Sequence, residues 1–249
     1  MPKLTEGARS AEAFRERRRA RVKTILTILA ALVLAPLTVV VGMGIPGNGY
    51  YLSGTLIVLY AIVPFFVAFE GRRPTAREIA VVAVLTALAV AARAAFIWVP
   101  HFKPMAAVIM IAGLAAGPQT GFLVGSVAAL ASNFIFGQGP WTPWQMFAMG
   151  LVGFLAGALF HSGLLRRTRG PLCAFGALAA IFIYGALMSA QSALLWMQGL
   201  NMGILVSYLL AGLPMDALQA AATVVFLWCF SGPVLEKLER MKLKYGLLE

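Results

Sequence analysis

The stretch SNFIFGQGPWTPWQ, residues 132–145, carries no charged side chain and separates two long apolar runs. Its polar groups are amides and hydroxyls, two tryptophans stand among them, and glycine and proline stiffen the backbone. Uncharged amides can hydrogen-bond a polar ligand while indoles cover its apolar surface, and a stiff loop loses little entropy when it closes. We therefore predict a loop that covers a small-molecule site. The alternative is a belt of tryptophans at a membrane interface.

The apolar runs on both sides of this stretch belong to a series that covers most of the chain. Of the 249 residues, 61% are hydrophobic and 12% are charged. A helix of about 20 apolar residues crosses the ~30 Å hydrocarbon core of a bilayer. The composition therefore predicts an all-α polytopic membrane protein, with the fourth span short for a full crossing. The eight predicted spans are residues 23–43, 52–70, 77–99, 105–116, 120–136, 143–165, 171–196 and 204–230.

The formal net charge of +11 is concentrated in alternate connections between these spans. This pattern follows the positive-inside rule and places both termini in the cytoplasm. It argues against a nucleic-acid-binding role and makes membrane lipids the expected neighbours. We divide the chain into a basic cytoplasmic segment over 1–22, a transmembrane helix pair over 23–71 and a six-helix substrate-binding membrane domain over 72–249.

Two charged residues, Arg93 and Asp216, fall inside apolar spans. Charges within a membrane are costly and usually pair with each other, with a cavity or with a ligand. An ion pair that only fastens two helices is the alternative reading. Other polar groups cluster toward the same predicted outer face. The candidate ligand-binding residues are Arg93, His101, Asn133, Gln138, Trp141, Trp144, Gln145, Gln191, Asp216 and Gln219.

Small residues recur every fourth position in the third predicted span, at Ala83, Ala87, Ala91 and Ala95. A smooth stripe of this kind lets a second helix approach closely. The stripe is either an internal packing surface or the interface with a separate membrane subunit.

Several kinds of chemistry lack their motif in this sequence. No glycine-rich loop ending in Lys-Ser or Lys-Thr is present, so the chain encodes no nucleotide-hydrolysing site of its own. His101 and His161 fall at opposite ends of the predicted bundle, too far apart to share a metal. The sequence therefore predicts a protein that is not an enzyme and that needs no metal or other cofactor.

Residues 91–159, together with GLPMDALQAAATVVF at 212–226, resemble the S components of energy-coupling factor (ECF) transporters. The resemblance extends over about residues 77–246, and SNFIFGQGPWTPWQM is its most specific part. Within these proteins the sequence looks most like the group assigned to cobalamin and related corrinoids. The resemblance implies a six-helix core in a bacterial plasma membrane, here preceded by two extra N-terminal transmembrane helices.

The same resemblance implies partners and roles. The chain would bind a vitamin from outside and dock onto a transmembrane T subunit that carries two cytoplasmic ATPase subunits. The partner interface would then lie at Ala83, Ala87 and Ala91. Many relatives resemble D-x-x-H-A in the last helix where this chain reads DALQA, so Gln219 stands where histidine is common. The alternative function is an ion-coupled secondary transporter that uses Asp216 as its proton carrier.

Overall fold

The computed structural model describes residues 76–164, 168–196 and 202–245, together with positions 37, 38, 40, 41, 52 and 56. The helix pair predicted over 23–71 lies outside these ranges except for the isolated positions. Every regular element within the described ranges is helical. Four helices of the described part of the chain are long and apolar enough to cross a membrane. The prediction of an all-α polytopic membrane protein is confirmed.

We number the helices of the described ranges in chain order. The elements are α1 Ala76–Ala94, α2 Met105–Ala116, α3 Pro118–Phe136, α4 Thr142–His161, α5 Arg169–Leu178, a π-helical turn Ala179–Gly185, α6 Ala186–Trp196 and α7 Met202–Tyr245. The chain runs without a break from α5 through the π turn into α6. The described part therefore contains six helical rods, as predicted for the core.

Glycine and proline set the ends of the central helices. Gly117 and Gly137 have φ of 96° and 101°, a conformation that L side chains rarely adopt, and each directly follows the end of a helix. Pro118 and Pro143 lie in the first turns of α3 and α4, where a proline costs no backbone hydrogen bond. The α2–α3 and α3–α4 connections are consequently short.

The stretch 132–145 is not one loop, because α3 extends through Phe136 and α4 begins at Thr142, close to the ends of the predicted spans 120–136 and 143–165. Two other predicted boundaries were wrong. Helix α1 ends at Ala94 rather than at 99. Helix α7 does not stop at 230 but continues to Tyr245. Its C-terminal turns are amphipathic, with Val234, Leu235 and Leu238 packed against the core, so burial rather than composition maintains this helix.

The short helix α2 lies at the centre of the bundle. Ten of its twelve residues are buried. It contacts α1, α3, α4, α5 and α7. At ~1.5 Å per residue α2 is only ~18 Å long, well under the ~30 Å of a hydrocarbon core. Helix α2 is therefore too short to fill the thickness of the hydrocarbon core. The α1–α2 connection and an open cavity occupy the space beyond its N-terminus.

Glycines bring α2, α3 and α4 into backbone contact. A Cβ atom added at Gly113 or at Gly121 would collide with the carbonyl oxygen of Gly153. One added at Gly125 would collide with the carbonyl of Met149, and one at Gly157 would lie 2.7 Å from Pro118 Cα. Small residues in membrane helices permit this close packing, which gains van der Waals contact that lipid cannot replace.

We expect Gly153→Ala to destabilise the bundle, because its Cβ would push α3 away from α4. Overpacking of this kind costs about 1–3 kcal/mol. Gly170→Ala is the matched control, since a Cβ there meets nothing within 4 Å. Thermal unfolding in detergent should show a lower midpoint for Gly153→Ala and an unchanged or higher one for Gly170→Ala. Equal midpoints would contradict the role assigned to this contact.

Candidate functional site

A cavity of about 300 Å³ opens at the N-terminal end of α2. Its walls come from α1, the α1–α2 connection, α2, α4, the π turn and α7, so residues far apart in the chain meet there. Five of the ten predicted ligand-binding residues line it. The lining residues are Arg93, Pro100, His101, Lys103, Met105, Gln145, Met149, Tyr184, Met215, Asp216 and Gln219.

The α1–α2 connection, residues 95–104, contributes three of these residues and is fastened to α7. Gln219 Nε2 donates a hydrogen bond of 2.7 Å to the backbone oxygen of Lys103. His101 has a φ of 57°, which is uncommon for a residue other than glycine. Because the connection is already held in one conformation at the cavity wall, little conformational entropy is lost when a ligand binds there.

Arg93 is tied to the end of α3. Its Nη1 donates to Ser132 Oγ and, over 2.9 Å, to Asn133 Oδ1. Arg93 Cζ lies 4.4 Å from the centroid of the Phe136 ring, and Lys103 Nζ lies 4.2 Å from the same centroid. One aromatic ring therefore contacts two basic side chains. Burial lowers the pKa of Lys103, and the nearby Arg93 charge lowers it further. Two basic side chains of the cavity wall therefore share one aromatic ring, and their proximity disfavours the charged form of Lys103.

Asp216 lies on the opposite wall, against the π turn. Its carboxylate packs directly on Gly185, where a Cβ atom would overlap it, and one carboxylate oxygen is 3.5 Å from the Cβ position of Gly212. Asp216 shares the cavity wall with His101. In the described ranges it forms no ion pair with Arg93, whose hydrogen bonds go to α3 instead. Both charges thus line the cavity without neutralising each other directly.

Gln145 and Tyr184 join α4 to the π turn. Gln145 Nε2 donates a hydrogen bond of 3.0 Å to Tyr184 Oη. Gln145 Oε1 is buried and accepts no hydrogen bond from any described residue. π turns are rare and recur at functional sites, and this one places Tyr184 in the cavity wall.

The other predicted ligand-binding residues lie outside the cavity. Thr142 Oγ1 accepts from Asn133 Nδ2 and donates to Gln138 Oε1, so both amides bond to the first residue of α4. Trp144 is 0% exposed in the hydrophobic core, and the Trp141 ring covers Gly139. Gln191 is buried on α6 and accepts a hydrogen bond from Ser192. For these residues a ligand contact stays a prediction.

Sequence reasoning missed several cavity residues. Tyr184 stands alone in an apolar run, a setting that favours ordinary core packing, and no sequence pattern announced the π turn around it. Met105, Met149 and Met215 gave no signal either, because methionine is common in apolar helices. Lys103 was also missing from the predicted residues, although it did give a signal: it is the only lysine or arginine in a predicted outer connection.

The alanine stripe of α1 is accessible in the described part of the chain. Ala83, Ala87, Ala91 and Ala95 are all exposed, and no described helix packs over them. Ile79, Val84 and Leu88 continue the same open surface. Within these ranges the stripe is therefore not an internal packing surface.

Comparison with known families gave one match. Residues 74–232 match the family model described as "ECF-type riboflavin transporter, S component". The matched region covers more than half of the chain and includes all the residues that line the cavity. Comparisons with curated proteins and with solved structures gave no match.

We expect Gln219→Leu to loosen the α1–α2 connection, because the Lys103 carbonyl would lose its partner on α7. Hydrogen–deuterium exchange of the purified chain should be faster over 95–104. Gln119→Leu is the control, since Gln119 is an exposed glutamine at the opposite end of α3. Exchange over 95–104 that is the same in both variants and the wild type would show that this hydrogen bond does not hold the connection.

Proposed function

This chain belongs to the family of ECF-type riboflavin transporter S components, and on that premise we propose that it binds a vitamin for an ECF-type importer. It is a multi-pass membrane subunit for transport and not an enzyme. The energy for uptake comes from a T subunit and two ATPase subunits that other chains provide. The setting implied by the resemblance is a bacterial plasma membrane.

The observation that carries this function is the cavity itself. A volume of about 300 Å³ lies at the lower end of the ~300–1,000 Å³ range of small-molecule sites. It is far larger than a proton or metal-ion site needs. Seven of its eleven lining residues carry polar or charged groups, and three are methionines, so the wall can hydrogen-bond an organic ligand and also cover its apolar surface. These features support a small vitamin over an ion as the bound species.

We propose a flavin as the cargo. Its planar ring would pack against Met105, Met149 and Met215, whose polarisable sulfur atoms suit aromatic surfaces. A corrinoid has several times as many non-hydrogen atoms as a flavin. It would enter this cavity only after a large displacement of the α1–α2 connection, which Gln219 and the bundle hold in place. Cavity size and family membership therefore both favour the smaller vitamin over cobalamin.

The orientation follows from the distribution of charge. The cavity end of the bundle faces outward, and both termini lie in the cytoplasm. Arg169, Lys237 and Arg240 are exposed near the opposite end, where the positive-inside rule places basic residues. A vitamin would then enter from outside, and the exposed stripe of α1 would contact the T subunit within the membrane.

We expect the purified chain, alone in detergent, to bind riboflavin one-to-one without ATP. Isothermal titration calorimetry would measure the affinity, with cobalamin titrated in parallel. Tight binding of cobalamin instead of riboflavin would support the role as a vitamin-binding subunit but would contradict the assignment of a flavin as the ligand. No vitamin binding, combined with uptake by the lone chain that an uncoupler and Asp216→Asn both abolish, would replace this proposal with an ion-coupled carrier.

We expect Ala87→Trp to abolish ATP-dependent uptake in cells that also produce the T and ATPase subunits, while leaving riboflavin affinity unchanged. A tryptophan would separate the two helix surfaces that the stripe brings together. Leu210→Trp is the control, since Leu210 is an exposed position on α7 away from the stripe. Lost binding in Ala87→Trp with intact assembly would refute this division between the two surfaces.

A further inference from the structure

Gln145 carries a polar atom that has no hydrogen-bond partner among the residues that the structure describes. The residue is 5% exposed, and it lines the cavity. Its Nε2 donates to Tyr184 Oη, while its Oε1 accepts nothing within the described part of the chain. A buried acceptor left without a donor is destabilising. Because Gln145 lines the cavity, a ligand that turns this side chain toward itself would supply the missing donor.

Tyr184 supplies the complementary group. A phenol both donates and accepts, and the hydrogen bond from Gln145 uses its oxygen as an acceptor. No hydrogen bond from the Tyr184 hydroxyl to a described residue is observed, which leaves its proton available to a cavity ligand. The pair therefore presents one acceptor, Gln145 Oε1, beside one donor, the Tyr184 hydroxyl.

This complementarity does not depend on the orientation of the amide. If the Gln145 amide is rotated by half a turn, its oxygen accepts from the tyrosine. The pair then offers the Gln145 amide hydrogens as donors and Tyr184 Oη as the acceptor. In either arrangement the pair presents one donor and one acceptor next to each other.

We infer that Gln145 and Tyr184 read an adjacent N–H and C=O on one edge of the ligand, as found in a cyclic imide, lactam or urea. The N–H would donate to Gln145 and the C=O would accept from Tyr184. This inference rests on the proposed function and assigns one edge of the vitamin to one wall of the site. In a flavin the matching group is the imide of the pyrimidine ring, which has an N–H between two carbonyls.

The other polar residues of the cavity are less suited than Gln145 and Tyr184 to bind an adjacent N–H and C=O. Arg93 and Lys103 offer donors only, and Arg93 already serves Ser132 and Asn133. Gln219 Nε2 is engaged with the Lys103 backbone oxygen. Asp216 can accept but, when ionised, cannot donate. A neutral His101 carries one donor and one acceptor, but its two ring nitrogens point in different directions and cannot both meet an adjacent N–H and C=O. Gln145 with Tyr184 places a donor and an acceptor side by side.

The test compares riboflavin with N3-methylriboflavin, which lacks the imide N–H, by calorimetry on the full chain in detergent. We expect methylation to weaken binding to the wild type by about tenfold or more, as the loss of one buried hydrogen bond implies. 5-Deazariboflavin, which keeps the imide edge and differs elsewhere in the ring, should bind like riboflavin.

Two variants extend the comparison. In Gln145→Leu riboflavin should bind about tenfold more weakly, and N3-methylation should then cost little more, because the partner of the N–H is already gone. Tyr184→Phe removes a single hydroxyl and should weaken riboflavin in the same direction, which keeps the test open if the leucine variant fails to fold. Gln119→Leu, at the other end of α3, should retain the full preference for riboflavin.

The outcomes separate the inference from the proposed function. Equal affinity of the wild type for riboflavin and N3-methylriboflavin would overturn the inference while the flavin-binding role stands. Whichever vitamin binds, an affinity that neither Gln145→Leu nor Tyr184→Phe changes would also overturn it. A chain that binds no vitamin would overturn the proposed function and this inference with it.

Discussion

The contact between glycine backbones where α2, α3 and α4 cross is the constraint on which the rest of the bundle depends. Gly113, Gly121 and Gly153 leave no room for a Cβ atom between these helices. In lipid, helices gain little from burying apolar surface, so close packing has to supply the attraction. This contact holds α2 at the centre of the bundle, where ten of its residues are buried by protein. Because α2 is surrounded by other helices, it does not have to be long enough to cross the hydrocarbon core. The cavity occupies the depth that a longer helix would have filled.

The cavity is lined by both charged residues that the sequence places inside apolar spans, Arg93 and Asp216. Arg93 is balanced by the hydroxyl and amide of the α3 end and by the face of Phe136, rather than by a carboxylate. Asp216 is placed against a glycine of the π turn. Keeping the two charges apart leaves both walls able to meet a ligand. A direct ion pair would have satisfied the charges but would have withdrawn them from binding.

Two surfaces of the bundle thus have separate requirements. The cavity end needs preorganised polar groups, which the short connections and the bond from Gln219 to the Lys103 backbone maintain. The α1 surface needs only to be smooth and accessible, which alanine achieves by its size. Membership in the S-component family unites the two, because a subunit of this kind has to hold a ligand and dock onto a transport partner.

The sequence alone determined the helical membrane class, the number of rods in the core and most helix positions, because span length, glycine and proline act locally. It also indicated five cavity residues, since charges and amides are costly inside an apolar span wherever they lie. It did not reveal that Asn133 and Gln138 bond to Thr142, that Asn133 also bonds to Arg93, or that Trp144 is core. Only the tertiary structure decided these, together with the pairing of Gln145 with Tyr184, 39 residues away. The reason is that hydrogen-bond partners depend on which helix faces meet, and those faces are set by packing between segments distant in the chain.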